Sequence, residues 1–142
     1  MSKYLLILFL SFFSIPTFGQ SETEKPYVIE NYYRIKWGHQ ETFIELYKKN
    51  HYPIVRKMQE LGYITEIIAE RSPFHTPEPN RWDFRIRLVF KNLAAAFEEE
   101  AWAEVSKELF PDRERLKQEE QKRFELLLAH WDFILTPVNL SE

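Results

Sequence analysis

Apolar and charged residues alternate along residues 81–91, which is the clearest strand pattern in the chain. One face of this segment carries five apolar side chains: Trp82, Phe84, Ile86, Leu88 and Phe90. The other face carries charged groups such as Asp83, Arg85 and Arg87. Side chains alternate between the two faces of a strand, so this pattern predicts a strand with one buried face. We expect the rest of the chain to pair with it or to cover that face.

A second alternating segment, residues 27–37, predicts the first strand of the sheet. Its apolar face carries Asn31, Tyr33 and Trp37 among aliphatic residues. Buried polar groups are normally hydrogen-bonded to neighbours. Asn31 and Tyr33 are therefore either satisfied core residues or polar groups of a site.

Apolar residues at three- and four-residue spacing predict a helix over residues 40–61. Pro53 lies inside this pattern and cannot donate to the carbonyl of Lys49, which predicts a kink or bulge between these two residues. His51 lies in that interval, four residues after Tyr47. Side chains beside a helix irregularity are often directed into a cavity, so His51 is a candidate functional residue.

The remaining elements follow in chain order: a strand over 63–71, a proline-rich loop over 72–80, helices over 92–109 and 112–129, and a strand over 131–138. Asn92 and Asp112 are the predicted N-caps of the two helices. The charged run 117–123 is expected to face solvent. The loop carries His75, either as a lid over a site or as part of an ordinary connection.

The first nineteen residues have the features of a secretory signal peptide. Lys3 precedes a short apolar run, and small residues precede a predicted cleavage point before Gln20. The alternative, a membrane anchor, needs about 20 apolar residues, and helix-breaking Pro16 follows a shorter run. We therefore expect an exported protein, periplasmic or extracellular, with no membrane anchor after cleavage.

The remainder is long enough for one domain, predicted over 27–138, with a flexible lead-in over 20–26 and a tail over 139–142. Loss of Lys3 leaves 18 of the 19 basic residues against 22 acidic ones, a net charge of −4, which does not favour nucleic-acid binding. The chain has no cysteine, so its stability must come from burial and from any oligomer interface.

The order strand, helix, strand, strand, helix pair, strand predicts an α+β fold of the ferredoxin-like type, βαββααβ, with a four-stranded antiparallel sheet and helices on one face. Together with the helical segment 47–53 and the strand from Trp82 to Arg85, it resembles the dimeric α/β-barrel superfamily. That group includes cofactor-independent monooxygenases, polyketide cyclases, haem-degrading enzymes and NIPSNAP proteins. The resemblance implies a homodimer whose sheets pair through the face away from the helices.

The helix-facing side of the sheet is the expected site of function. The predicted catalytic residues are His51, Tyr33 and Asn31, and the predicted ligand-binding residues are Trp37, Tyr47, Trp82, Phe84 and His75. An aromatic pocket with a few polar groups suits a small hydrophobic or aromatic molecule. With an ordinary pKa near neutrality, His51 would act as a general base, while Tyr33 or Asn31 would donate to a developing oxyanion.

Alternatives remain open at this level. The same pocket could bind a hydrophobic ligand without turnover, or the aromatic residues could be core in a structural homodimer. No phosphate-binding, dinucleotide or metal-ligand pattern occurs, so we expect no cofactor and no metal. The resemblance also allows haem, with His51 or His130 as the axial ligand.

Overall fold

The computed structural model describes residues 25–74, 76–138 and 140 of the 142-residue chain. The predicted leader, His75 and most of the lead-in and tail lie outside these residues. The elements are β1 (Tyr27–Ile35), α1 (Gln40–Leu46), a π-helical turn (Tyr47–His51), α2 (Tyr52–Glu60), β2 (Ile64–Arg71), a 3₁₀ turn (Glu78–Asn80), β3 (Phe84–Phe90), α3 (Leu93–Ala96), α4 (Glu99–Leu109), α5 (Arg113–Glu125) and β4 (Leu127–Leu135). Within the described residues, no helix is both long and apolar enough to cross a membrane.

The four strands form one antiparallel sheet in the order β2-β3-β1-β4. The third strand lies between the first and the second, as the element order predicted. In this register Tyr33 of β1 lies opposite Phe84 of β3 on one side and His130 of β4 on the other. The predicted ferredoxin-like α+β fold is therefore confirmed.

The core lies between the sheet and the helices. Phe43, Val55 and Met58 from the first helical segment are completely buried, and they meet Ile35 and Ile86 from the sheet, each 1% exposed. Full burial of one such side chain stabilises the fold by about 1.5–3 kcal/mol. The apolar stripe of the helix and the alternating strands therefore supply the main packing surface.

The helix irregularity predicted around Pro53 is present as the π-helical turn. The amide of Tyr52 donates to the carbonyl of Tyr47, five residues earlier, and Pro53 occupies the first turn of α2. A proline costs nothing in a first helical turn, where its missing amide would have no helical partner. The turn adds one residue to the helix and so redirects the side chains of Asn50 and His51.

The C-terminal half differs from the prediction in two places. The helix expected over 92–109 is broken between α3 and α4, although Asn92 caps α3 by accepting from the Ala95 amide at 2.7 Å. The helix expected to reach residue 129 ends at Glu125, and Leu128 lies in β4, 49% exposed. Pairing of β4 along most of β1 overrides the helical pattern, because each strand residue gains ladder hydrogen bonds.

Candidate functional site

A buried arginine is the centre of a compact polar group on the helix-facing side of the sheet. We call this group the Arg123 cluster, and its members are Tyr33, Phe43, Tyr47, His51, Glu120, Arg123 and His130. The π-helical turn supplies Tyr47 and His51, and α5 supplies the arginine and its carboxylate partner. Strands β1 and β4 supply Tyr33 and His130, which face each other in the sheet register.

Arg123 is only 2% exposed. Its Nη2 donates to Glu120 Oε2 at 2.5 Å and its Nε to Glu120 Oε1 at 3.3 Å, a two-point ion pair. The guanidinium lies 5.5 Å from the ring centres of both Phe43 and Tyr47. Aromatic faces attract a cation, so the arginine is held in a fixed place. Its Nη1 has no hydrogen-bond partner among the described residues.

The two tyrosines of the cluster remain protonated around neutral pH. Burial raises the pKa of Tyr33 to about 12, although the positive charge of Arg123 acts in the opposite direction. Burial also raises the pKa of Tyr47 well above its ordinary value, and the neighbouring Tyr33 adds to the effect. Both phenols are therefore hydrogen-bond donors beside a positive charge, an arrangement that stabilises an anionic oxygen.

His51 is half-buried, with its ring centre 5.0 Å from that of Tyr47. Burial and, to a smaller extent, the charge of Arg123 lower its pKa to about 4, and the opposing charge of Glu120 does not offset them. The assumption that this histidine has an ordinary pKa is therefore wrong. His51 is neutral at neutral pH, and its conjugate acid is a strong one, which makes it a weaker base than expected.

His130 forms the opposite wall of the cluster. Its ring stacks on Tyr33 with 4.5 Å between centres and 5° between planes. Its Nε2 lies 3.1 Å from Oδ1 of Asp132, two residues along the same strand. Both side chains are partly exposed, so the pair contributes little to the stability of the fold.

A cavity of about 240 Å³ adjoins the cluster between the helices and strands β2 and β3. Its lining is mainly apolar: Ile44, Tyr47, Lys48, Tyr52, Ile67, Ala69, Phe84 and Ile86. Tyr47 belongs both to this lining and to the Arg123 cluster. The volume is below the roughly 300 Å³ at which small-molecule sites usually begin, so the cavity suits a small ligand.

Haem does not fit these residues. Neither His51 nor His130 lines the 240 Å³ cavity, and the His51 ring is packed against Tyr47. Among the described residues there is also no group of three or more potential metal ligands.

Four of the predicted site residues come together. Tyr33, Tyr47 and Phe84 are in mutual ring contact, with centres 5.3 to 6.0 Å apart, and His51 packs on Tyr47. Asn31 lies two residues along β1 from Tyr33, and its side-chain amide donates to the carbonyl of Ile86 at 3.4 Å. The side-chain amide of Asn31 is thus hydrogen-bonded to the neighbouring strand β3.

The two tryptophans lie elsewhere. Trp82 precedes β3 and packs edge-on against Tyr32 on the face away from the helices, so the prediction that it shares the helix-facing side is wrong. Trp37 follows β1, is 61% exposed, and lies 4.2 Å beneath the guanidinium of Arg81. Trp82 comes before β3 begins and Trp37 comes after β1 ends, so strand alternation does not determine the direction of either side chain.

Arg123 and Glu120 were missed because they lie in a run of charges, which was expected to be solvated. For Arg123 that expectation is wrong. The detectable signal was spacing: residue 123 lies seven positions, or two helical turns, after Leu116, which was predicted to face inward. A charge on that inward face must be paired when buried, and Glu120, three residues earlier, is the partner.

The face of the sheet away from the helices carries a second aromatic and charged group. The rings of Trp131 and Phe133 lie 5.7 Å from that of Tyr32. Glu30 is 8% exposed and accepts from the Tyr32 hydroxyl at 2.7 Å, and it lies opposite Arg87 in the register. Arg85 bridges Glu30 and Glu70. Acid–arginine pairs therefore link neighbouring strands on this face.

No known protein family matches the chain, and no curated protein matches it. Solved structures share its fold. A NIPSNAP family protein from Agrobacterium tumefaciens is 18% identical with a TM-score of 0.52, covering 83% of this chain and 90% of that one. A dimeric ferredoxin-like protein from an uncultured marine organism is 6% identical with a TM-score of 0.55, covering 84% and 96%. The chain has the ferredoxin-like fold.

A third structure of this fold is SnoaB, a cofactor-independent oxygenase from Streptomyces nogalater. It is 11% identical with a TM-score of 0.50, and the match covers 83% of this chain and 99% of that one. At such identities the likeness concerns the ferredoxin-like fold alone. Function has to be argued from the residues of this chain.

Proposed function

We propose that this ferredoxin-like protein binds a small aromatic molecule with an acidic hydroxyl or C–H group, and stabilises its anionic form without a cofactor. One observation carries the proposal: Arg123, Tyr33 and Tyr47 bring a buried positive charge and two protonated phenols together, and Tyr47 also lines the apolar cavity. Groups with perturbed pKa values cluster at functional sites. The pKa values of Tyr33, Tyr47 and His51 are all perturbed, and these residues are neighbours.

The electrostatic argument starts from Arg123. Glu120 holds two of its nitrogens, which leaves Nη1 as the free donor among the described residues. A ligand oxygen that approaches Nη1 gains a charge-assisted hydrogen bond in a poorly solvated place, where electrostatic interactions are strong. Arg123 opposes the rise in the pKa of Tyr33 through its charge and through a side-chain hydrogen bond, so the tyrosine hydroxyl lies next to the guanidinium and can donate to the same ligand oxygen.

In the catalytic form of the proposal, His51 takes the proton. The O–H or C–H bond of the substrate breaks and an N–H bond forms on the neutral imidazole. The electron pair stays on the hydroxyl oxygen, or passes from the carbon through conjugation to a neighbouring carbonyl oxygen, and Arg123 stabilises that oxygen. Such a step is the cofactor-independent acid/base chemistry expected of a cyclase- or monooxygenase-like protein. It is consistent with SnoaB, a protein of the same fold, being a cofactor-independent oxygenase.

A second candidate is a binder that does not turn its ligand over. Two observations favour it. The pKa of about 4 for His51 is far from the working pH at which a base is most effective, and His51 does not line the 240 Å³ cavity. Both candidates use the same donors, and they differ only in whether a proton leaves the ligand.

The oxyanion proposal is tested with 4-nitrophenol, whose phenolate absorbs at longer wavelength than the phenol. Titration of the protein-bound dye should show its apparent pKa lowered by about one unit, a tenfold stabilisation of the anion. Tyr33→Phe should reduce this shift. The paired change Arg123→Met with Glu120→Gln should abolish it while leaving no unpaired charge. Tyr63→Phe, outside the cluster, is the control. A bound dye with an unchanged pKa in the wild-type protein would refute the proposal.

We also propose that the protein is a homodimer paired through the sheet face away from the helices. Phe133 is 52% exposed and Leu135 is 39% exposed on this face, next to the Tyr32 aromatic group. An exposed apolar patch on a sheet commonly marks an interface. A structure of the same fold is itself described as dimeric.

Light scattering after size exclusion tests the dimer. Phe133→Lys should give a monomer, because a desolvated ammonium group would be costly at the interface. Phe74→Lys is the matched control, since Phe74 is 81% exposed in the loop after β2. A wild-type monomer at micromolar concentration would contradict the dimer.

Export is a further part of the proposal and depends on residues 1–19. A signal peptide predicts that the mature chain begins at Gln20. N-terminal sequencing of protein recovered from the periplasm or medium of an expressing host tests this. Recovery of uncleaved chain only from the cytoplasm would refute it.

A further inference from the structure

Trp37 and the proline-rich loop meet at one end of the sheet, where β1 and β2 end and β3 begins. Together they line a cavity of about 170 Å³. The lining residues that bear on its chemistry are Trp37, Gln40, Ser72, Phe74, Arg81 and Asp83. No residue of this lining belongs to the Arg123 cluster or lines the 240 Å³ cavity.

Trp37 is an exposed aromatic ring that is held in place from one side. It is 61% exposed, and the guanidinium of Arg81 lies 4.2 Å from the centre of its ring. Arg81 is 3% exposed, and its Nη2 donates to the carbonyl of Ile35 at 2.5 Å and its Nη1 to Glu78 Oε1 at 2.8 Å. An indole that already packs against a buried cation gives up little conformational freedom when a ligand stacks on it.

The loop that forms the other wall is fastened by hydrogen bonds as well. Arg34 Nη1 donates to the carbonyl of Glu78 at 3.0 Å, and the hydroxyl of Ser72 donates to the carbonyl of Phe74 at 2.8 Å. These bonds hold the described part of the loop in place. The cavity is therefore preformed, as small-molecule sites usually are.

The polar side chains of the lining offer hydrogen-bond acceptors. Asp83 contributes a carboxylate whose side chain is 19% exposed. Ser72 uses its hydrogen on the carbonyl of Phe74, and Gln40 uses its amide nitrogen on the carbonyl of Asp83 at 2.9 Å. The side-chain oxygens of Ser72 and Gln40 are acceptors too. A ligand that carries several hydroxyl groups therefore complements this lining.

The two charged residues of the lining compensate each other. Arg81 Nε lies 3.3 Å from Asp83 Oδ2, which makes them an ion pair. An anionic ligand would meet the carboxylate of Asp83, and a cationic ligand would meet the guanidinium of Arg81. The cavity therefore favours a neutral ligand, because like charges brought close together are penalised.

We propose that this cavity binds one neutral sugar ring, a pyranose. The flat C–H face of the ring lies against the indole of Trp37, and the hydroxyl groups donate to Asp83, Gln40 and Ser72. A flat aromatic molecule would also cover the indole, but the three acceptors would then lose their hydrogen bonds to water without gaining new ones. For a ligand of this size the usual ligand efficiency gives a dissociation constant on the order of 1 mM.

Titrations followed by NMR of the nitrogen-labelled protein test the proposal, with methyl β-D-glucopyranoside and methyl β-D-galactopyranoside as probes. The indole N–H signal of Trp37 should shift saturably with at least one of them. Tetrahydropyran, which has the ring without hydroxyl groups, and glycerol, which has hydroxyl groups without a ring face, should each bind at least about tenfold more weakly. Tighter binding of the methyl glycosides than of the free sugars would indicate the end unit of a glycan, and the reverse order a free monosaccharide.

Substitutions at position 37 separate stacking from unspecific binding. Trp37→Ala removes the stacking surface at an exposed position, so the fold should persist and affinity for the sugar should fall at least about tenfold. Trp37→Phe keeps a smaller ring and should retain part of the affinity. Phe97→Ala removes an aromatic ring that is 57% exposed outside the cavity, and it should bind as the wild type does.

A substitution at position 40 tests the hydrogen bonds. Gln40→Met keeps the length of the side chain but removes its acceptor, and affinity should fall about three- to tenfold. Gln118→Met, at an exposed position on α5, is the matched control. A thermal melt of each variant checks that the fold persists.

The proposal is overturned if neither glycoside gives a saturable shift, if tetrahydropyran binds as tightly as the sugars, or if Trp37→Ala keeps the wild-type affinity. The 4-nitrophenol test of the Arg123 cluster uses other residues, so either proposal can fail without the other.

Discussion

The depressed pKa of His51 makes a quantitative prediction about acid stability. In the unfolded chain His51 takes up a proton as the pH falls below its ordinary pKa of 6.5, whereas in the folded chain it does so only near 4. Protonation therefore favours the unfolded state, and stability is lost as the pH falls through 6.5. Above that pH both states are neutral, and His51 contributes no pH dependence.

The size of the effect follows from the pKa difference. Each pKa unit corresponds to about 1.36 kcal/mol, so the full loss below the folded-state pKa is roughly 3 kcal/mol. At about pH 5 the linkage relation gives a loss of about 2 kcal/mol. Solvent reaches part of the half-buried ring and screens the interaction, so we expect about 1–2 kcal/mol between about pH 7.5 and pH 5.

Urea unfolding at several pH values between these limits measures this loss. The wild-type protein should lose about 1–2 kcal/mol more than His51→Gln, which has no titrating group at this position. His39→Gln removes an exposed histidine and should retain the wild-type slope. The window stays above the range in which most carboxylates titrate. Parallel slopes for the wild type and His51→Gln would refute the burial argument.

Three further changes test the packing around the cluster and the helix ends. Glu120→Gln leaves Arg123 buried without its charge partner and should cost about 1–3 kcal/mol in urea unfolding, whereas Glu114→Gln on the exposed face of α5 should stay within about 0.5 kcal/mol of the wild type. An equal loss of stability in the two variants would mean that the buried Arg123–Glu120 pair contributes no more than an exposed charge. Asp112→Ala removes the N-cap of α5 and should cost about 1 kcal/mol, with unchanged stability as the contradicting result. Gly62→Ala should cost about 1–2 kcal/mol from backbone strain alone, because the glycine has φ +81° and an added Cβ would meet nothing within 4 Å; a neutral result in thermal melts would argue against that backbone conformation.

The pattern of the sequence alone predicted the elements whose faces differ in polarity. The alternation of apolar and charged residues around Ile86 predicted the central strand of the sheet. The three- and four-residue spacing of apolar residues around Met58 predicted the first helix, and Pro53 predicted its irregularity. These features are local, because the side-chain period is set by the backbone geometry of each element. The element order then determined the ferredoxin-like topology, since few arrangements of such elements obey the rules of connection.

Only the tertiary structure decided the composition of the site. Tyr33, Tyr47 and His51 were predicted from their elements, but Arg123 was hidden in a charged run. Its burial depends on how α5 packs against α1 and the π-helical turn. Long-range packing likewise ended α5 at Glu125 and began β4 at Leu127, because strand pairing with β1 outweighs weak helical preference. The pKa of His51 was likewise decided by the tertiary structure. The residue type sets the ordinary value, and burial beside a cation lowers it.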